Sequence, residues 1–343
     1  MLSRVANSLY WMVRYIERAD NLARLIEVNE QMILDLGRVD PQGFRALWRP
    51  IILATGDQEL FDETYPNATQ REAIHFLTED RNNPNSIVSC IASARENARM
   101  VRDQLAEELW EELNGLYLFL NSEESSRILA GDPSGYYEMI RRSTFTFHGI
   151  AAATTMRSEA WDFMDLARHL ERADKTTRFL DITTYLEDSK DVAVTADEHW
   201  LAILRSCGGV GAFRSQYRGR FSPRNITEFL VFSEKFPRSV RFCVNRLDAS
   251  LHAISGNPVG TFGDDAERAS GQLLSALAFG SCDDAMAEGL HGYLDGLQGR
   301  LNDIADAIFR TYVLLPEQID ERPSIPASSI SSVVKWQMQQ QQQ

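Results

Sequence analysis

The sequence predicts an all-α fold, and three observations carry that reading. Apolar residues recur at steps of three and four along the longer segments, and no stretch alternates with period two. Turn formers are scarce: 20 glycines and 11 prolines in 343 residues. A sandwich or barrel needs such residues every 8–12 positions or so.

The elements follow in order. Leu9, Met12, Ile16, Ala19, Ala23 and Ile26 form an apolar stripe on one face of a first long helix. Ser86 to about Leu120 reads as another long helix, entered through Asn83-Pro84-Asn85-Ser86, with Asn85 or Ser86 as its cap. Asp132-Pro133-Ser134-Gly135 and Ser255-Gly256-Asn257-Pro258 read as turns. Met164, Leu166, Leu170, Ala173, Thr177 and Leu180 repeat the first stripe. Leu290, Leu294, Leu297, Leu301, Ile304 and Ile308 mark a last helix, stopped before Pro316. Beyond it, prolines, serines and the glutamines of 337–343 predict a disordered tail over 316–343.

The chain also matches itself. Arg14-Tyr15-Ile16-Glu17-Arg18-Ala19-Asp20 returns as Arg168-His169-Leu170-Glu171-Arg172-Ala173-Asp174, and Arg24 returns as Arg178. Trp48, Ile51, Gly56, Phe61 and Tyr65 return as Trp200, Ile203, Gly208, Phe213 and Tyr217. Phe76-Leu77 returns as Phe229-Leu230, and Pro84, Ser86 and Cys90 return as Pro237, Ser239 and Cys243. Four blocks in one order at nearly one offset predict two tandem repeats of about 150 residues, 1–152 and 153–315, in a single body.

Composition narrows function. With 35 basic and 49 acidic residues the formal charge is −14, a poor prior for nucleic acid or an anionic membrane. No apolar run approaches the roughly 18 residues of a spanning helix, and the opening Met1-Leu2-Ser3-Arg4 lacks the form of a signal peptide. Four cysteines without CxxC spacing read as small packing residues in a reducing cytoplasm. No Walker loop, Rossmann fingerprint, nucleophile elbow or zinc-binding His-Glu-x-x-His occurs.

Three patterns are candidates for chemistry. On a helix, Arg14, Glu17, Arg18, Asn21 and Arg24 share an arc of about 120° opposite the apolar stripe. Glu17 can pair with Arg14 and Asp20 with Arg24 within the helix, as an exposed charge-laced face would. Retention of the same residue types at Arg168, Glu171, Arg172, Asp174 and Arg178 points instead to a polar network between the two helices or to a site. A carboxylate-bridged metal site is the weaker reading, because arginines flank both glutamates and the residue three after each is an aspartate, Asp20 or Asp174, where such sites carry histidine. The second pattern is Arg214, Arg218, Arg220 and Arg224 without an intervening acid, followed by Arg238 and Arg241. It reads either as an anion site or as the complement of Asp57, Glu59, Asp62 and Glu63 in the first half. The third is a polar helix stripe with Arg95, Asn97, Arg99, Arg102, Trp110 and Asn114. His148 is the one histidine in a notable setting, beside Gly149.

Leu2-Ser3-Arg4, Ile16 to Asp20, Pro84-Asn85-Ser86-Ile87 and Ala94 to Asp103 together resemble the bacterial alpha-E family, over residues 1 to about 315. Val13 and Ala167 stand where that family often carries a glycine. The resemblance implies an accessory or adaptor component of a peptide- or amide-forming system. Its partners would be a circularly permuted ATP-grasp ligase and a transglutaminase-like peptidase, with ATP on the ligase and no cofactor here. A peptide or acidic ligand is a further candidate partner. The competing reading is a stand-alone helical enzyme that makes or breaks amide bonds with Glu17 or Glu171 as acid–base.

Overall fold

The computed structural model describes residues 1–36, 47–187, 196–218 and 220–313, and among these every regular element is helical. The tail expected over 316–343 lies outside the described residues.

Two long helices organise the molecule: α1 (Ser3–Leu36, 34 residues) and, after seven helices among the described residues, α9 (Glu159–Glu187, 29 residues). At about 1.5 Å per residue they run roughly 50 and 44 Å. They pack against each other, and each takes one further helix along its flank. That flank is α5 (Ile87–Met100) for α1 and α13 (Val240–Ser255) for α9. Between α1 and α5 lie α2 (Arg49–Thr55), α3 (Gln58–Thr64) and α4 (Gln70–Thr78). Then α6 (Glu107–Leu120), α7 (Glu123–Gly131) and α8 (Pro133–Thr154) lead back to α1, against which α8 packs. After α9 come α10 (Ala196–Ser206), α11 (Val210–Tyr217) and α12 (Pro223–Thr227), the last running into a π turn over Glu228–Phe232. Past α13, α14 (Asp265–Phe279), α15 (Cys282–Glu288) and α16 (Leu290–Tyr312) are the last described helices, with α16 against α9.

The helix starts use the chemistry their sequences offer. Ser86, Ser122, Asp132, Ser222, Ser239, Asp264 and Ser281 each accept a backbone N–H three residues on. Of the two caps expected for α5, Ser86 is the one used. Cys90 and Cys243 sit one turn inside α5 and α13, buried, with their thiols 4.0 and 3.5 Å from the Pro84 and Pro237 carbonyls. Burial pushes both thiols up to about 12, so they stay neutral and pack.

Two expectations need correction. The helix expected over Ser86–Leu120 is broken: α5 ends at Met100, a 3-10 turn covers Arg102–Gln104, and α6 starts at Glu107. No Gly or Pro marks the break. Val101 leaves the helix to stay buried, and the chain doubles back so that Leu109, Leu113 and Leu116 also reach the core. The turn expected over Asp132–Gly135 shrinks to Asp132 alone. Pro133 already opens α8, where its missing N–H and fixed φ suit a first helical residue.

Candidate functional site

The Arg-rich face of α1 is not exposed. Every residue from Ser8 to Ile26 is buried, and on α9 the run Phe163–Thr183 is buried apart from Arg168, Lys175 and Arg178. A long helix that buries its full circumference must pair every charge it carries. Here each charged face lies against the other.

The pairing is reciprocal. Glu171, on α9, receives Arg14 Nε at 2.7 Å, Arg18 Nε at 2.8 Å and Arg18 Nη2 at 3.2 Å. Glu17, on α1, receives Arg172 Nε at 3.0 Å on both oxygens and Arg172 Nη2 at 2.7 Å, with Arg168 Nε at 3.3 Å. Both glutamates are fully buried, 0% exposed. The expected Glu17–Arg14 pair within α1 is therefore absent, because Arg14 reaches across to Glu171 and donates its Nη1 to Tyr10 Oη at 2.8 Å. The expected Asp20–Arg24 pair does form at 2.8 Å, and Asp174–Arg178 matches it at 2.9 Å.

Other elements complete the shell. Arg238, at the entrance of α13, donates to Asp20 at 2.5 Å and to Asn21 at 2.6 Å, and lies 3.9 Å from Glu17. Thr144 on α8 donates to Asp20 at 3.0 Å, and His148 Nε2 lies 2.9 Å from Glu17. Asn85, before α5, accepts from Arg18 at 2.6 Å and donates to Asp57 at 2.8 Å. Lys175 lies 3.0 Å from Asp174 and 3.8 Å from Glu171. Sequence reasoning missed Arg238, Lys175 and Asn85 as members of this network. The available signal was that Asn85 and Arg238 stand at equivalent places between the repeated Pro and Ser of Pro84–Ser86 and Pro237–Ser239.

The electrostatics follow from surplus cations. Burial works to raise Glu17, yet Arg172, His148 and Arg238 hold its carboxyl well below the usual range. Glu171 is opposed by burial in the same way and held down by Arg18, Arg14 and Lys175. Arg178 and Lys175 bring Asp174 to about 2 against its desolvation. His148 goes the other way: burial and Arg168 lower it to about 4, so it is neutral near pH 7. Two enclosed carboxylates held ionised by guanidinium forks have no proton to give at neutral pH.

The other candidates lie apart. Arg95 spans α5 and α6, donating to Asn114 at 2.8 Å with its guanidinium 4.5 Å from the Tyr117 ring centre. Asn97 donates to the Ser93 carbonyl and Arg99 to Glu96, both local contacts. Arg214, Arg218 and Arg220 are exposed at the end of α11; among the described residues their side chains meet only the Phe221 ring, 5.9 Å from Arg214, while the Arg220 carbonyl accepts from Asn225 at 3.0 Å. The complementary pairing expected with the acidic stretch is not made: Asp62 pairs with Arg49 at 3.0 Å, Asp57 with Asn85, and Arg224 with Asp283 at 2.7 Å.

Comparison with known proteins agrees with this architecture. The chain is 26% identical over 353 residues to the uncharacterized protein Mb2597 of Mycobacterium bovis and to the uncharacterized protein Rv2567 of Mycobacterium tuberculosis. Each match covers 94% of this chain but 39% of the relative, so the chain spans about two fifths of the length of these proteins. No solved structure matches it. A family model described as a predicted alpha-helical domain with a conserved ER motif matches residues 1–313. The chain carries Glu-Arg pairs at Glu17-Arg18 and Glu171-Arg172, at the centre of the fold, and it belongs to the Alpha-E family.

Proposed function

We propose that this protein is a non-catalytic helical adaptor that works beside a separate amide- or peptide-forming enzyme. The observation that carries this reading is the state of the two glutamates: fully enclosed, ionised, and each held by arginines of the opposite long helix. Such groups suit a structural clasp and not an acid–base pair. The relatives support a component role as well, since the matching region is under half of each and the remainder is free to carry other chemistry.

In this proposal the chain is two copies of one unit, 1–152 and 153–315, closed face to face on their Glu-Arg helices. The reciprocal bridges, the paired Ser86 and Ser239 caps and the matching Cys90 and Cys243 contacts support that organisation. The partners are a circularly permuted ATP-grasp ligase, which brings the ATP, and a transglutaminase-like protein, in the cytoplasm. Arg214, Arg218 and Arg220 form an exposed cationic edge suited to an acidic partner loop.

The test uses the purified chain with and without a circularly permuted ATP-grasp ligase of the same organism. The adaptor reading expects no turnover of ATP, amino acids or peptides by the chain alone, stable co-purification with the ligase, and a changed ligase rate. Turnover by the chain alone that vanishes in a folded Glu17→Gln or Glu171→Gln variant would overturn it.

A further inference from the structure

A second feature lies beyond the clasp, at the C-terminal end of α1, and is independent of the adaptor reading. Where the C-terminal turns of α1 meet the start of α4 and the corner between α7 and α8, the surface opens into a cleft of about 910 Å3. That is within the roughly 300–1,000 Å3 of small-molecule sites. Its walls are largely apolar, from Ile33, Leu34, Ile74 and Pro133, and Leu34 is 70% exposed along one side.

Two carboxylates line the same cleft, and they differ. Glu27 is neutralised by Arg141 on α8 at 3.2 Å and accepts a hydrogen bond from Ser134 at 3.3 Å. Glu30, one turn further along α1, is half-buried and has neither an ion pair nor a hydrogen bond among the described residues. Burial and the nearby Glu27 push its carboxyl up to about 7. A half-desolvated acid at the edge of an apolar cavity, with a like charge as neighbour, is stabilised by a cation from outside.

We propose that this cleft binds an amphipathic organic cation, an ammonium on an apolar body, with the ammonium seated on Glu30. Charge selects the occupant: Arg141 is committed to Glu27, Tyr137 beneath is held neutral by burial, and Asp132 adds a further acid to the rim. Arg71, on the facing wall from α4, leaves room for an acceptor group at the other end of the ligand.

The probe is phenethylammonium, compared with phenethyl alcohol and phenylacetate, titrated into the full chain by calorimetry at about pH 8. The proposal expects saturable binding of the ammonium at least about tenfold tighter than of the alcohol, and binding of phenylacetate no tighter than of the alcohol. Glu30→Gln should abolish the preference and leave alcohol binding unchanged, because Glu30 holds no structural partner. The ammonium stays charged between pH 8 and 6 while Glu30 gains its proton, so its affinity should fall about tenfold in the wild type and not in Glu30→Gln. Equal binding of ammonium and alcohol, or no saturable binding of any probe, would sink the idea. So would a concentration-dependent dimer dissolved by Leu34→Asp, which would assign the face to a second copy of the chain.

Discussion

The surroundings of Glu17 and Glu171 differ in parts and agree in sum. Within 4 Å, Glu17 has Arg168, Arg172 and Arg238, while Glu171 has Arg14, Arg18 and Lys175. The third cation comes from the entrance of α13 in one case and from α9 itself in the other. An asparagine completes each shell at the exchanged place: Asn21 accepts from Arg238, and Asn85 accepts from Arg18. Positions 21 and 175 are equivalent in the self-alignment, as are 85 and 238. A lysine replaces an asparagine at the first pair, and an arginine replaces an asparagine at the second, on opposite sides. What the fold keeps is the charge around each carboxylate, not the position that supplies it.

The harshest way to break this balance is to remove a carboxylate. Glu17→Ala or Glu171→Ala leaves three cations facing one another without a counter-charge, and losing one partner of a buried pair costs about 3–5 kcal/mol. Either variant should unfold at a much lower denaturant concentration, and the two losses should agree within about 1 kcal/mol if the shells are equivalent. Chemical denaturation monitored by circular dichroism measures both. A loss confined to one glutamate would show that the halves are not equivalent.

Acid separates the two shells, because His148 stands at Glu17 and, among the described residues, no histidine stands at Glu171. His148 is lowered from 6.5 to about 4 in the fold, so the native state prefers it neutral. Its contribution is complete above about pH 6.5 and is lost as pH falls from there toward 4, worth about 3 kcal/mol at 1.36 kcal/mol per unit. Depressed carboxyls such as Asp174 add their loss only below about pH 4. Glu30 works in the opposite sense, since its raised carboxyl favours the fold as pH drops from about 7. Stability measured from pH 7 to 5 should fall in the wild type and fall less in His148→Gln. Identical slopes would place the acid sensitivity elsewhere, with His169, also lowered to about 4, as the next residue to change.

A gentler test exchanges the parts. Lys175→Asn removes the weakest of the three cations at Glu171, 3.8 Å away and 12% exposed, and should cost about 1–2 kcal/mol. Adding Asn85→Arg gives Glu171 the arrangement that Glu17 already has, and the new guanidinium also faces Asp57, whose Oδ2 is buried without a partner. The double variant should recover at least half the loss, read as a coupling energy in a double-mutant cycle. Additive losses would mean that position matters more than charge.

The all-helical class and the long helices at the Glu-Arg blocks were legible from spacing alone. So was the identity of the main charged residues, because one side of the chain restates the other. Burial was not. A helix whose polar arc faces solvent and one whose polar arc faces its own counterpart have the same periodicity, and only the partner distinguishes them. Arg14 illustrates this: Glu17 lies three residues away, yet Glu171 takes the guanidinium. The break at Val101 was equally hidden, since it rests on where one valine is buried and not on a helix-breaking residue. Glu30 left no signal either, because its setting is made by α4 and the α7–α8 corner.

The smallest effect tests the exposed contrast to the clasp. Arg218 is the one non-glycine residue with positive φ among those described, at +50°, where it ends α11 in the left-handed region. That conformation costs an L-residue about 1 kcal/mol, and glycine at a helix end is free of it. The side chain is exposed, and no recorded contact holds it there. Arg218→Gly should therefore raise stability by a few tenths to about 1 kcal/mol, less the entropy of a freer unfolded chain. Arg218→Ala keeps the strain and should change stability by less than about 0.5 kcal/mol. A loss of more than about 1 kcal/mol in Arg218→Ala would mean that the exposed arginine edge is tied into the fold. Unchanged melting with weaker ligase binding in the same variant would place the edge at the partner, where a strained arginine is held for contact and not for packing.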